Sequence, residues 1–112
     1  MPRVIQLSDA EFKQLVINPK EPAVVMWGSE GCAPCIGFKP VYEELATEYL
    51  GKVVFFYVNT DIYQGYAAEF KVPGMPTFDF FNKGENHGRF IGAPAERHIF
   101  TTFLNHLMAT TA

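Results

Sequence analysis

The sequence is short of most features that would announce a function. It holds two cysteines, too few for a disulfide framework or a four-cysteine metal centre, and only one tryptophan. Its longest strongly apolar run, Val53 to Val58, is far shorter than the roughly 20 residues a spanning helix needs. Nine basic residues against twelve acidic ones leave a formal charge of −3. That balance gives no reason to expect nucleic acid or an anionic membrane as partner. There are no internal repeats and no low-complexity tracts. The opening "MPRVIQLSDAEF" has no long apolar stretch of the kind a secretory signal carries. A reducing, cytoplasmic setting is the expectation, and there a cysteine pair is more often catalytic or metal-binding than structural.

What is present suffices for one domain, residues 1–112. With 48% apolar residues and eleven phenylalanines, a chain of this size can build a core without staples or metal. "RVIQL" has the look of a short strand. In "LSDAEF", Ser8 and Glu11 have capping-box spacing and Leu7 and Phe12 form a hydrophobic staple. The helix they start presents Phe12, Leu15 and Val16 and ends at Asn18-Pro19. "AVVMW" is a continuous apolar run, as a central strand buried on both faces requires. From Phe38 to Tyr49 apolar residues recur at helical spacing, with Pro40 expected to kink the helix. "KVVFFYV" is a second buried strand, and Asp61 can cap a short helix reaching about Phe70. "PTFDFF", the turn "NKGE" and "GRFIG" suggest an antiparallel hairpin. A last helix from about Ala95 carries Phe100, Phe103, Leu104 and Leu107 on one face. The order β-α-β-α-β-α-β-β-α predicts an α/β fold: a central mixed five-stranded sheet flanked by four helices.

Cys32 and Cys35 lie in "WGSEGCAPCIGF", where the central strand gives way to its helix. That is the ligand edge of an open α/β sheet. A helix start offers free N–H groups and the positive end of a dipole, so a thiolate at Cys32 is favoured there. Cys35, one turn further in, should be more buried. Disulfide exchange needs that asymmetry: an exposed thiolate attacks and a second thiol resolves the mixed disulfide. Pro34 has no N–H to lose at this position. As a staple the pair would be poor, since so small a loop is worth roughly 2 kcal/mol against about 3 for fifteen residues. A zinc site lacks further cysteines, and His87, His98 and His106 lie far off in sequence; no metal is expected. Two incidental thiols remain the bland alternative.

"VPGMPT", residues 72–77, places Met75-Pro76 at the start of the hairpin's first strand. Proline is permitted there, and a cis bond would turn an open backbone edge outward, to which a substrate segment could pair. The alternative is an ordinary turn.

At this point the residues resemble the thioredoxin family. The likeness runs through nearly the whole chain: C-x-P-C opening a helix with Pro40, "VNTD" after the third strand, "GMPT" at 74–77, "FFNKGE" at 80–85 and "FIGA" at 90–93. The resemblance implies the thioredoxin fold, with Cys32 as nucleophile, Cys35 as resolving thiol and Pro76 as the cis-proline beside them. It implies an active-site loop of Gly31, Ala33, Pro34 and Trp27, and a substrate groove near Gly74, Met75, Gly92 and Ala93. It also implies a monomer that reduces protein disulfides, binds no cofactor, and draws electrons from a thioredoxin reductase. The family brings a thiol pKa of about 7 and a couple near about −270 mV, neither of them a product of this chain's residues.

Several positions depart from the family. Gly31 stands where most members have tryptophan, and Gly28 replaces a second aromatic, so a looser, more open loop is expected. The family's buried aspartate is Met26 here, and its lysine neighbour on the third strand is Tyr57. Two residues could compensate. Lys39, four residues after Cys35, shares its helix face and could favour a thiolate; a surface pair with Glu43 is the plainer alternative. Asp79, on one strand face with Thr77 and Phe81, could be a relocated proton acceptor or simply a hydrogen-bonded structural acid. The residue before Cys35 is not histidine, as it is in oxidising members, which favours a reductant. Alternatives are a redox protein with a narrow client range and a non-catalytic binding module.

Overall fold

The computed structural model describes residues 3–110; the expected domain of 1–112 extends past these at both ends. The five strands are β1 (Val4–Gln6), β2 (Ala23–Gly28), β3 (Val54–Asn59), β4 (Thr77–Asn82) and β5 (Glu85–Ile91). The helices are α1 (Asp9–Phe12), α2 (Ala33–Glu48), α3 (Gly65–Glu69) and α4 (Arg97–Ala109). The sheet order is β1-β3-β2-β4-β5. β3 is parallel to both β1 and β2, while β4 is antiparallel to β2 and β5. This is the predicted mixed sheet, and β2, buried at every position, is its centre.

Alternation along the strands sorts the side chains into two cores. Val24 and Met26 of β2, Phe55 and Tyr57 of β3, and Phe78 and Phe80 of β4 pack with α2 and α4. Val25, Trp27, Phe56, Val58 and Phe81 point the other way, onto Leu7, Phe12, Val16 and Ala67. The β4–β5 turn uses Lys83 and Gly84 at φ 56° and 79°, the doubly left-handed pair of a two-residue hairpin.

Two local expectations are corrected. The first helix is α-helical for only four residues and then widens into a π-turn over Lys13–Ile17, with Asn18 N–H donating to the Lys13 carbonyl. The wider winding buries Phe12 and Val16 but leaves Leu15 exposed. Asp61 does not cap α3: its carboxylate accepts from the Glu30 N–H at 3.0 Å. Asp9 takes that role, accepting from Gly65 and Tyr66 N–H at the start of α3. Pro40 lies inside α2, as the helical spacing around it predicted, and the helix runs on to Glu48.

Candidate active site

β2 ends at Gly28, and a short turn leads into α2. Cys32 is the residue before the first helical turn, with extended backbone at φ −91° and ψ 107°. Its N–H donates to the Ser29 carbonyl, and its Sγ accepts from the Cys35 N–H at 3.1 Å. A sulfur here therefore faces an otherwise unpaired helix amide, the setting that favours its anion. Ala33 and Pro34 form the exposed first turn. Cys32 is half-buried, whereas Cys35 is 1% exposed and packed within the α2-side core. The two sulfurs are joined as a disulfide with the Cα atoms 5.2 Å apart.

The second wall comes from the hairpin. The Met75-Pro76 bond is cis. The Pro76 carbonyl accepts from Gly92 N–H at 2.8 Å, and Thr77 Oγ1 donates to the Gly74 carbonyl at 2.6 Å. Gly92 sits at φ +89°, a conformation glycine takes without strain. Met75 and Cys32 are both half-buried and rest on the same core cluster. A shallow groove of about 360 Å³ runs from Pro34, Phe38 and Val41 on α2 to Ala93 and Pro94 beyond β5. Ile36, beside Cys35 on α2, is 59% exposed and adds apolar surface next to the pair.

The loop is anchored at Gly28, whereas Gly31 is exposed. The Gly28 carbonyl accepts from both the N–H and the Oγ1 of Thr60, and Glu30 is tied to Asp61. The Tyr57 ring fills the space a side chain at residue 28 would need: a Cβ on Gly28 would lie 2.7 Å from Tyr57 Cε2.

Two expected site residues lie elsewhere. Trp27 is fully buried in the α1-side core, stacked on Phe12, so it is a core residue and not part of the loop surface. Asp79 is fully buried on that same side, away from the Cys35 core. It accepts from Trp27 Nε1 at 2.9 Å and from Arg89 Nε at 2.6 Å. It is thus the hydrogen-bonded structural acid of the plainer alternative, set in the core opposite Cys35. Arg89, which sequence reasoning missed, also donates to the Phe70 and Lys71 carbonyls, tying the loop before Met75 to the sheet. Its signal was the hairpin register, which sets Asp79 opposite Arg89. Lys39 is not paired with Glu43; its Nζ lies 4.5 Å from the centre of the Tyr57 ring. Among the histidines, His98 faces Glu96 and His87 the Asn82 carbonyl. No group of three or more metal-capable side chains occurs among the described residues.

The thioredoxin family model matches residues 3–105. The chain belongs to the thioredoxin family. Its chemistry is accordingly thiol–disulfide exchange, and its class of activity protein-disulfide reduction. It is 35% identical over 104 residues to the thioredoxin of Pyropia yezoensis, an alignment spanning 93% of this chain and 97% of the relative. It is 31% identical over 107 residues to thioredoxin 1 of Nostoc sp., spanning 96% of this chain and all of that one. A 36% match over 90 residues to the chloroplastic M-type thioredoxin of Spinacia oleracea spans 80% of this chain but only half of the spinach protein's length. Among the described residues, no helix is long and apolar enough to cross a membrane.

Proposed function

We propose that this single-domain, monomeric member of the family is a broad protein-disulfide reductase of the cytoplasm, recharged by a thioredoxin reductase. The observation that carries the reading is the unequal setting of the two sulfurs, one outward at a helix start and one in the core. In the reduced protein the Cys32 thiolate attacks a client disulfide. The client S–S bond breaks, and its first sulfur leaves as a thiolate that takes a proton from solvent. Cys35 then loses its proton and attacks Cys32 Sγ, expelling the second client sulfur. Two electrons pass from the dithiol to the client. Gly31, Ala33 and Pro34 on one side and Gly74, Met75, Pro76, Gly92 and Ala93 on the other make the contact surface, apolar and backbone-rich. No bound cofactor or metal takes part.

The test is turnover of a generic protein disulfide with a dithiol reductant, beside a Cys35→Ser variant used as a trap. Turnover lost in Cys32→Ser, with several clients trapped on Cys35→Ser, supports the broad reductant. A single trapped client would replace it with a narrow-range redox protein, and neither turnover nor trapping would leave a binding module.

A further inference from the structure

The face of the sheet that holds Cys35 carries a cation in an unusual setting. Lys39 lies one helical turn beyond Cys35 on α2, and residues four apart share a helix face. Its ammonium sits over the Tyr57 ring, 4.5 Å from the centroid, within cation–π range. Among the described residues no carboxylate comes within ion-pair distance of it. Glu43, one turn further along α2, stands unpaired with it. Glu30 and Asp61 act from the loop side on the Tyr57 phenol, which burial first, then these two acids, push above its ordinary range. Tyr57 is 4% exposed and lies opposite Met26 across the β2–β3 ladder. It can extend over β2 only because residue 28 has no side chain, since a Cβ there would meet Cε2 at 2.7 Å and the hydroxyl at 2.9 Å. Gly28 supplies space, Tyr57 a platform and Lys39 a charge.

The partner's neutrality matters. A carboxylate would cancel most of the ammonium's field, whereas a ring quadrupole holds the ammonium while leaving its charge to act on other groups. The one buried carboxylate among the described residues, Asp79, is on the other face of the sheet. We propose that Tyr57 is a positioning residue whose ring holds the Lys39 ammonium beside the helix face of Cys35, so that this cation favours the Cys35 thiolate during resolution of the mixed disulfide. This rests on the reading of Cys35 as the resolving thiol. Lys39 transfers no proton. The Cys35 proton goes to water, the Cys35–Cys32 bond forms as the Cys32–client bond breaks, and the electron pair leaves on the client sulfur.

The experiment is a pH titration of Cys35 by thiolate absorbance in the full chain carrying Cys32→Ser, where Cys35 is the only thiol. Lys39→Gln, at an exposed position, raises the Cys35 midpoint by about half to one pH unit, and Lys39→Arg restores it. Tyr57→Phe keeps the ring and leaves the midpoint in place. Tyr57→Leu raises it, and adding Lys39→Gln to Tyr57→Leu shifts it little further. An unchanged midpoint in Lys39→Gln overturns the proposal even if Tyr57→Leu does not fold. A shift in Lys39→Gln with none in folded Tyr57→Leu overturns the role of the ring. No client is involved, so these titrations stay readable if turnover fails.

Discussion

On one face of the sheet Met26, Tyr57 and Cys35 pack beneath α2 and α4 with no buried charge among them. On the other, Trp27, Asp79 and Arg89 form a hydrogen-bonded ion pair beneath α1 and α3. The contrast separates two jobs that a buried carboxylate can do. On the α2 side it would lie next to the sulfur that must give up a proton. On the α1 side it braces: Asp79 holds the indole of β2, and through Arg89 it grips the carbonyls of residues 70 and 71, where the loop to Met75 begins. The chain has kept charge for bracing and left the thiol side to a cation on an aromatic ring. An acid in the core is therefore no guide to the chemistry until its face is known.

The largest break in this comparison is Asp79→Ala. It strands the indole N–H and leaves Arg89 without its acid, and removing one partner of a buried pair costs about 3 to 5 kcal/mol, with the low end expected here because Arg89 is 25% exposed. Denaturant unfolding measures the loss, and emission of the single tryptophan reports the freed indole. The thiol titrations should stay where they are; a shift of either cysteine would mean that the two faces are not independent.

Much of this division could be foreseen. The apolar run "AVVMW" announced a central strand, and the turn Lys83-Gly84 announced the hairpin. C-x-P-C was read at the junction of strand and helix, where the cysteine pair lies. Alternation even put Asp79 on one face with Phe81, as found. What the residues alone could not fix was which face α2 covers in that register, because it depends on pairing Val25 with Asp79 across strands fifty-four residues apart in sequence (79 − 25). The Lys39–Tyr57 contact was hidden for a similar reason: it joins an exposed helix residue to a strand residue, and only the hole at Gly28 makes room for it. Trp27 was assigned to the loop by the family resemblance, whereas its parity along β2 sets it in the opposite core. Asp61 sat where a cap was expected, yet Asp9, from another element, reaches α3 first.

A smaller effect comes from the hole itself. Gly28→Ala drives a methyl into the Tyr57 ring, where Cε2 would stand 2.7 Å away. Overpacking of this kind costs typically about 1 to 3 kcal/mol. A double-mutant cycle sharpens the point: in the Tyr57→Leu background the alanine should cost much less, giving a coupling energy of about 1 kcal/mol or more. Equal costs in both backgrounds would show that the ring moves aside freely, and the contrast between the faces would lose its aromatic half.

The smallest effect concerns another polar group buried on the cysteine face. The Tyr42 hydroxyl donates to the Phe56 carbonyl at 2.6 Å and reaches the Val24 carbonyl at 3.2 Å, so α2 is pinned to the backbone of β3 and β2. Burial holds this phenol well above its ordinary range, favouring the neutral form. The folded chain thus binds the proton more tightly than the unfolded one. The resulting stability is fully present below about pH 10, where the unfolded phenol is also protonated, and is lost progressively as pH rises above that toward the folded-state value. Tyr42→Phe should cost about 1 kcal/mol near neutral pH for the lost hydrogen bond. It should also make the fall in stability above pH 10 less steep, as measured by urea midpoints across that range. Parallel curves for the two proteins would mean that another group governs alkaline unfolding. On the other face the hydrogen bond from Arg89 to Asp79 raises the guanidinium above its ordinary range, so that cation stays charged while the Tyr42 side weakens, and the pH at which each face weakens should differ as their chemistry does.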